Sequence, residues 1–521
     1  MEICAPALAY LTFGDFQPVF VKNGGIELLQ LAFHQLYTRF DTTDADTDTA
    51  SQLKQVEGAF LTIFADISDI PDFRATYPLN SKTVQTLVDW LASATLPNLQ
   101  AAACLALGNL SRSDESSSAL LPRVQEPLID ILTRAVPPTL QPRDLKAPAP
   151  PLQLTHAALH FLKNLAIPQA NKPTLGAALL DPANGLLPLL WASTRTQPQL
   201  QFTAVTLTRL LLANCPANIR RICTPTVTSQ TTNSSSANPP SNLALLVSTA
   251  ASADEEPIKI EAARAASLVA RALHSLPTTE LLDPSWTWLS PSAESTKPVE
   301  PTQPAETQTP TSPSPDSSST TPLTHFLTAH APQTITPSLR LLLTTTRFPA
   351  LRSETIFVLA LMSRAGEEGA RAALAVLQLP LPLQSPSSSS RHAARDKGEA
   401  WRALGEMITA GSGSGSEAGE VGELVAAFTA ASGVVGEVVG DDETGEKEEE
   451  DGGVTVEKLS LEPQQVGGLA VPVAKMDREN GMVLVAELLR HFPEELSALR
   501  RPLEAILNKG AELVALDRDQ K

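Results

Sequence analysis

The sequence has few aromatic residues and no long apolar run. Aromatic residues make up only 4% of the 521 residues, and much of the 42% apolar content comes from Leu and Ala. These residue types favour stacked helices over sheets. No stretch approaches the ~20 consecutive apolar residues that a membrane-spanning helix requires. We therefore expect a soluble, helical protein.

Cysteine is also scarce, and its spacing excludes the common cysteine-based frameworks. No C-x-x-C pair occurs, so neither a disulfide framework nor a zinc site is expected. A reducing compartment suits such a chain, and the N-terminal segment, broken by Pro6, Asp15 and Pro18, lacks the features of a secretory signal. We expect a cytoplasmic protein whose four cysteines are free thiols: Cys4, Cys104, Cys215 and Cys223.

Basic residues are outnumbered, and the usual catalytic motifs are missing. The formal net charge is −18 and the pI about 5.0, which disfavours nucleic acid or an anionic membrane as the ligand and leaves a basic protein partner possible. There is no G-x-x-x-x-G-K-[ST], no H-E-x-x-H and no G-x-S-x-G motif. The Gly/Ser alternation at 411–415 is typical of a linker. We expect a chain that is not an enzyme and has no cofactor and no metal.

Amphipathic helical segments that end abruptly dominate the sequence. The segment His156–Asn171 has apolar residues at helical spacing, with Leu159, Leu162 and Ala166 at i, i+3 and i+7. Pro168 ends the helix, because proline has no N–H to donate and clashes with the preceding turn. A polar Asn164 interrupts the apolar pattern.

Similar segments recur at a nearly constant interval. The ends of successive apolar helices at Asp66, Asn109, Asn164 and Leu211 are separated by steps of 43, 55 and 47 residues, and the longest step contains a Pro-rich insertion. A period in the forties is typical of armadillo and HEAT repeats. The predicted fold is therefore all-α, a right-handed armadillo/HEAT-like α-solenoid with long disordered insertions.

Composition divides this array into segments. A Pro/Ser/Thr tract cannot bury enough apolar surface to fold, so we expect it to be a disordered insertion. The predicted organisation is N-terminal armadillo repeats at 1–225, a linker at 226–242, a repeat at 243–279, the disordered insertion at 280–325, further repeats at 326–410, a low-complexity and acidic loop with a short helix at 411–478, and C-terminal helices at 479–521.

Five blocks of the chain carry a more specific signal than the repeat period. The blocks are LALGNLSRSD (105–114), HAALHFLKNLAIPQANK (156–172), LQFTAVTLTRLL (200–211), KIEAARAASLVAR (259–271) and, more loosely, SETIFVLALMS (353–363). The N-L-A-I-P-x-x-N-K run of the second block is not part of a generic armadillo consensus. Together the blocks resemble the Rap GTPase–GDP dissociation stimulator family, the smg-GDS type of armadillo protein. The insertions of this chain resemble those of filamentous fungal proteins, and the match to the family weakens after Leu377.

The resemblance implies a partner and an activity. Members of that family bind small GTPases of the Rho and Rap type, which end in basic prenylated tails, along the inner face of the solenoid. They promote GDP dissociation, act as exchange factors or chaperones, and associate with the endoplasmic reticulum and mitochondria as well as the cytoplasm. We accordingly expect a monomeric regulator of small GTPases, with a general armadillo adaptor or scaffold without exchange activity as the alternative.

The candidate GTPase-binding residues are amides and charged groups near the ends of the third helices. Each has a second interpretation. The asparagines either bind partner backbone or tie adjacent repeats together, since unpaired buried amides are costly. The arginines either bind a GTPase carboxylate or pair internally, as with Glu261 three residues before Arg264. The candidates are Asn109, Asn164, Asn171, Arg209, Glu261, Arg264 and Arg271.

Two smaller features also have alternatives. Asn171 and Lys172 either contact the partner or cap the next helix. His156 and His160 have the i, i+4 spacing of a two-histidine metal site, but no third ligand follows, so no metal is expected.

The acidic run Asp441–Asp451 holds eight acids and one lysine, for a net charge of −7. Such a run is commonly a solvated loop. The functional hypothesis is that it attracts the basic GTPase tail and speeds encounter. The candidate steering residues are Asp441, Asp442, Glu443, Glu448, Glu449 and Glu450.

Overall fold

The structure is a computed structural model, and its regular elements are helices. It describes residues 8–39, 47–137, 140, 148–182, 185–224, 241–282, 335–344, 348–378, 390–409 and 470–519. Within these ranges no helix is long and apolar enough to cross a membrane. The all-α class expected from the sequence is confirmed.

The chain divides into two compact units. Unit 1 comprises Met1–Ile222 and Ala253–Glu261, and unit 2 comprises Cys223–Ser252 and Ala262–Lys521. Each unit has its own apolar core.

Unit 1 is built from helix groups of the armadillo kind, with a short first helix, a second helix and a third helix. The helices are α1 (Gln17–Lys22), α2 (Gly25–Arg39), α3 (Thr47–Asp69), α4 (Pro71–Thr76), α5 (Lys82–Leu91), α6 (Pro97–Leu110), α7 (Asp114–Ala135), α8 (Leu152–Leu165), a 3-10 turn (Gln169–Asn171), α9 (Lys172–Leu179), α10 (Leu186–Ser193), α11 (Pro198–Leu212) and α12 (Pro216–Cys223).

The third helices of unit 1 stack on one another. Helix α3 packs on α6, α6 on α8 and α8 on α11, while α5, α7 and α10 each pack on the third helix of their own group. Leu107, Leu159 and Leu207 of these third helices are completely buried. This sequential stacking is the arrangement expected of an α-solenoid.

The few aromatic residues concentrate at the beginning of the stack. Phe33 of α2 stacks on Phe60 of α3 with ring centroids 4.8 Å apart, and its centroid lies 6.2 Å from that of Trp90 of α5. Phe64 completes the group. These large rings fill the core where three helices meet, and the later repeats are packed mainly with Leu and Ala.

A repeated proline signal starts the third helices. Pro97, Pro198 and Pro349 occupy the first helical position, where the missing N–H breaks no helical hydrogen bond. The preceding residues have nearly the same backbone: φ −124°, ψ 72° at Leu96, φ −131°, ψ 74° at Gln197 and φ −130°, ψ 85° at Phe348. Equivalent turns therefore recur in both units.

Buried glutamines repeat as well. Gln100 at the start of α6 donates its amide N–H to Leu91 O at 2.8 Å, and Gln201 at the start of α11 donates to Trp191 O at 2.9 Å. Each bond satisfies a carbonyl that the end of the second helix leaves without a helical partner. The repeat is thus visible in polar contacts as well as in helix order.

Unit 2 continues the same scheme. Its helices are α13 (Asn242–Ser252), α14 (Glu256–Ser275, whose residues to Glu261 belong to unit 1), α15 (Thr278–Leu281), α16 (Ile335–Thr344), α17 (Pro349–Arg364), α18 (Glu367–Gln378), α19 (Ser390–Thr409), α20 (Ala470–His491) and α21 (Arg500–Asp519). Helix α17 packs on α20, and α19 packs on both α20 and α21.

Two buried arginines in unit 2 bind helix ends. Arg340 of α16 donates to Val376 O at 3.1 Å and to Leu377 O at 3.2 Å, at the end of α18. Arg478 of α20 donates to Ile408 O at 3.1 Å, at the end of α19. A cation at a helix C-terminus satisfies free carbonyls and opposes the negative end of the dipole.

Glycine and a capping serine mark several helix boundaries. Gly24, with φ 74°, lies between α1 and α2, and Gly366, with φ 143°, separates α17 from α18. Ser113 caps the start of α7 by accepting a hydrogen bond from the backbone N–H of Ser116.

Candidate functional site

The stacked helices α6, α8 and α11 of unit 1 each expose one stripe of side chains. We call the accessible side chains of these stripes the α6–α8–α11 face. Its residues recur at intervals of three, four or seven, which place them on one side of each helix. They are Leu105, Asn109, His156, His160, Lys163, Asn164, Phe202 and Arg209.

Asn109 links two third helices. Its Nδ2 donates to Ala65 O of α3 at 3.0 Å and to Ser68 Oγ at 2.9 Å, and its Oδ1 accepts from Arg112 at 3.0 Å. Arg112 also pairs with Asp69 of α3. The amide therefore ties the end of α6 to the end of α3.

Asn164 makes the equivalent contact one repeat later. Its Nδ2 donates to Gly108 O of α6 at 2.9 Å. The side chain is half-buried, and its Oδ1 has no hydrogen-bond partner among the residues that the structure describes. One side of this amide thus ties α8 to α6, and the other is available to a ligand.

Asn171 is buried, and its Nδ2 makes two structural hydrogen bonds. Its Nδ2 donates to Leu165 O at 2.9 Å and to Ser117 Oγ at 3.2 Å. Asn218 repeats the arrangement, donating to Leu211 O at 2.8 Å and to Lys172 O at 2.9 Å. Both asparagines satisfy the last carbonyls of a third helix. The alternative that Asn171 caps the next helix is wrong, because its side chain makes no capping hydrogen bond at the start of α9.

Arg209 and Glu261 form an ion pair between α11 and α14. Arg209 Nε lies 2.6 Å from Glu261 Oε2, and the glutamate side chain is only 2% exposed. A carboxylate this deeply buried requires a cation, because desolvation strongly disfavours an unpaired charge. Glu261 therefore anchors the Arg209 guanidinium at the edge of the α6–α8–α11 face.

Arg264 and Arg271 lie in unit 2 and contact α17. Arg264 pairs with Glu354 at 3.4 Å, and the Arg271 guanidinium lies 5.2 Å from the ring centroid of Phe357. The latter distance is within the range of a cation–π contact.

Two histidines line the α8 stripe. The rings of His156 and His160 have centroids 4.4 Å apart, and His156 Nε2 lies 3.5 Å from Thr203 Oγ1 of α11. Burial, followed by the charges of Lys163 and His156, lowers the pKa of His160 to about 4. His160 is therefore neutral at pH 7. Within the described ranges, no group of three or more His, Cys, Asp or Glu side chains is placed to hold a metal ion.

Lys163 and Phe202 are accessible residues of the face that the sequence interpretation missed. Lys163 lies between His160 and Asn164, and Phe202 lies seven residues before Arg209 on α11. The signal was available, because the residues complementary to the apolar stripe of α8 are His156, His160 and Lys163. The acidic steering residues between 441 and 451 lie outside the described residues.

Comparison with known proteins assigns no family. No protein-family model matches the chain, and no curated protein matches it. Among solved structures, the crystal structure of an engineered protein from a structural genomics consortium is similar over 96% of this chain and 93% of that chain, with 15% sequence identity and a TM-score of 0.41.

Proposed function

We propose that this chain binds small GTPases of the Rho and Rap type through the α6–α8–α11 face and stimulates the dissociation of GDP. The observation that carries the proposal is where the family-like blocks lie. The blocks at 105–114, 156–172 and 200–211 occupy the ends or the length of α6, α8 and α11, and these three helices stack in sequence. Residues that are separated in the chain therefore contribute to one surface.

The chemistry of the face suits a folded protein partner. It combines the apolar side chains Leu105 and Phe202, the neutral ring of His160, the amide of Asn164 and the cationic Arg209. Protein interfaces typically combine aromatic, Arg and amide groups with a polar rim. The tight ties between the third helices hold these groups in place before the partner arrives, which reduces the entropy cost of binding.

GDP release follows from differential binding and needs no bond-making residue. A surface that binds the nucleotide-free GTPase more tightly than the GDP-bound form lowers GDP affinity by the same factor, because coupling between two ligands is reciprocal. A coupling of about 3 kcal/mol corresponds to roughly a 150-fold change in affinity. The proposed activity therefore depends on tighter binding of the nucleotide-free GTPase than of the GDP-bound form.

The direct test is release of a fluorescent GDP analogue from purified Rho-type and Rap-type GTPases. With excess unlabelled nucleotide present, addition of the full-length protein is expected to raise the release rate at least tenfold for one of them. Heat-denatured protein is the control. An unchanged release rate for both kinds of GTPase would contradict the proposed stimulation of GDP dissociation.

The second candidate function is an adaptor without exchange activity. Asn109 and Asn171 make hydrogen bonds within the chain, so fewer of the candidate residues contact a partner than the resemblance implies. An adaptor would bind a GTPase or another protein without changing nucleotide release. Measuring binding by anisotropy alongside GDP release separates the two, since an adaptor gives binding with an unchanged release rate.

A further inference from the structure

Lys163 is an unusual cation on the α6–α8–α11 face. It is half-buried on α8, yet its Nζ forms no hydrogen bond or ion pair with any residue in the described part of the chain. The Nζ atom is not fully buried, so the ammonium group reaches solvent. The stem of Lys163 is partly covered while its charged end is left to solvent, so the ammonium is available to a ligand from outside the chain.

The surroundings of Lys163 leave positive charge uncompensated. Burial lowers the pKa of Lys163; Glu261 opposes this effect and Arg209 adds to it. Glu261 is already in contact with Arg209 at 2.6 Å. The three groups carry two positive charges and one negative charge, and the nearby His160 is neutral because its pKa is lowered to about 4.

Arg209 also has unused donors. It contacts Glu261 through Nε, and its two terminal nitrogens have no partner among the residues that the structure describes. An arginine fork presents these N–H groups in a fixed plane suited to oxygen pairs. A carboxylate approaching the face would meet the ammonium of Lys163 and the free edge of this guanidinium.

We infer that Lys163 and Arg209 together form the binding site for a carboxylate on the acidic surface of the protein partner. The inference rests on the proposed function and names the chemistry of its central contact. A single carboxylate fits better than a polyanion, because the chain carries a net charge of −18 and repels extended phosphate-rich ligands. Glu261 holds Arg209 in place and is not itself the partner's contact.

The test replaces the lysine while keeping its aliphatic stem. We call the GTPase whose GDP release the chain accelerates the responsive GTPase. Lys163→Met is expected to weaken its binding about tenfold, measured by fluorescence anisotropy at low salt. The effect is expected to be smaller at high salt, because screening weakens ion pairs. Lys163→Arg keeps the charge and is expected to bind within about twofold of the wild-type protein. The matched control is Lys82→Met, an exposed lysine at the start of α5, which is expected to leave affinity unchanged.

Thermal melting distinguishes a binding role from a structural one. Removing a half-buried unpaired charge is expected to leave the melting temperature of Lys163→Met unchanged or raised. Weaker binding accompanied by a lower melting temperature would overturn the inference, as would wild-type affinity in Lys163→Met. In the latter case the proposed function stands and only the inferred contact is wrong. If the wild-type chain binds no GTPase, the proposed function fails and the inference with it.

Discussion

At the residue scale, the side-chain amides are the connectors of the repeat stack. Asn109 and Asn164 donate to the ends of the preceding third helices, at Ala65 O and Gly108 O. Each carbonyl also accepts a hydrogen bond from a nearby serine hydroxyl, Ser68 for Ala65 O and Ser111 for Gly108 O. The amide from the next repeat adds a bond that joins the two helices. Both asparagines therefore tie adjacent repeats together, which is the second of the two interpretations given for them. Only the Oδ1 of Asn164 is left to contact a ligand.

Replacing Asn164 with alanine tests this connection. The variant loses the 2.9 Å hydrogen bond to Gly108 O and is expected to lose about 1 kcal/mol of unfolding free energy. Urea unfolding followed by circular dichroism measures the change. Unchanged stability with weaker partner binding would instead assign Asn164 to ligand contact alone.

A second residue, His274, makes stability depend on pH. Burial lowers its pKa to about 4, and neither ring nitrogen has a hydrogen-bond partner. The unfolded chain, with a histidine pKa near 6.5, takes up the proton first as the pH falls. Stability present above pH ~6.5 is therefore lost progressively down to pH ~4.

The pH effect of His274 is measured by unfolding at pH 7 and pH 5. Between pH 7 and pH 5 the wild-type protein is expected to lose more unfolding free energy than His274→Leu. The difference between the two losses is expected to be at most about 2 kcal/mol. His34→Leu, at an exposed position on α2, is the control. If the wild-type protein, His274→Leu and His34→Leu lose equal unfolding free energy between pH 7 and pH 5, His274 does not cause the loss of stability in acid.

At the element scale, close helix contacts depend on small residues. Gly176 of α9 faces Asn218 of α12, and a Cβ placed at Gly176 would lie 1.9 Å from Asn218 Oδ1. Asn218 is buried and satisfies carbonyls of two elements. The glycine therefore permits the approach that lets this asparagine reach its partners.

Gly176→Ala is expected to destabilise unit 1 by about 2 kcal/mol, because the displaced Asn218 loses its hydrogen bonds. Gly58→Ala is the matched control, since Gly58 lies in α3 with no atom within 4 Å of its added Cβ. That variant is expected to gain about 0.5–1 kcal/mol from helix propensity. Thermal melts of the two variants should shift in opposite directions; a shared direction would contradict the packing argument.

Periodicity located most helices of the described chain, and local chemistry explains where it failed. The apolar stripe of α8 follows from Leu159 and Leu162, and the end of that helix from Pro168. Spacing alone does not show the division between α17 and α18, because apolar residues at helical spacing occur on both sides of Gly366. The partners of Arg209 and Asn164 were unpredictable from spacing, since each contact joins residues more than 50 positions apart and depends on how repeats stack.

At the scale of the whole molecule, charge is unevenly distributed along the chain. The run Asp441–Asp451 contributes −7 of the net −18, while the α6–α8–α11 face carries the cations Lys163 and Arg209. The two features suit different parts of one partner. Acidic surface of the GTPase would meet the face, and its basic tail would be attracted by the acidic run.

Deleting Asp441–Asp451 tests the role of this run. The association rate with a GTPase that retains its basic tail is expected to fall several-fold at low salt and little at high salt, since exposed charges are screened. Stopped-flow fluorescence at two salt concentrations measures both rates. An unchanged rate and salt dependence would leave the run as a solvated loop.

Hydroxyl-radical footprinting tests the central claim most directly, because it reports the solvent access of individual side chains. In the presence of the responsive GTPase, oxidation of His156, His160 and Phe202 is expected to fall at least threefold. Tyr10 and Phe13, which are 65% and 59% exposed outside the face, serve as internal controls and should react as before. Protection absent from the α6–α8–α11 face, in a complex that binds by anisotropy, would contradict the account.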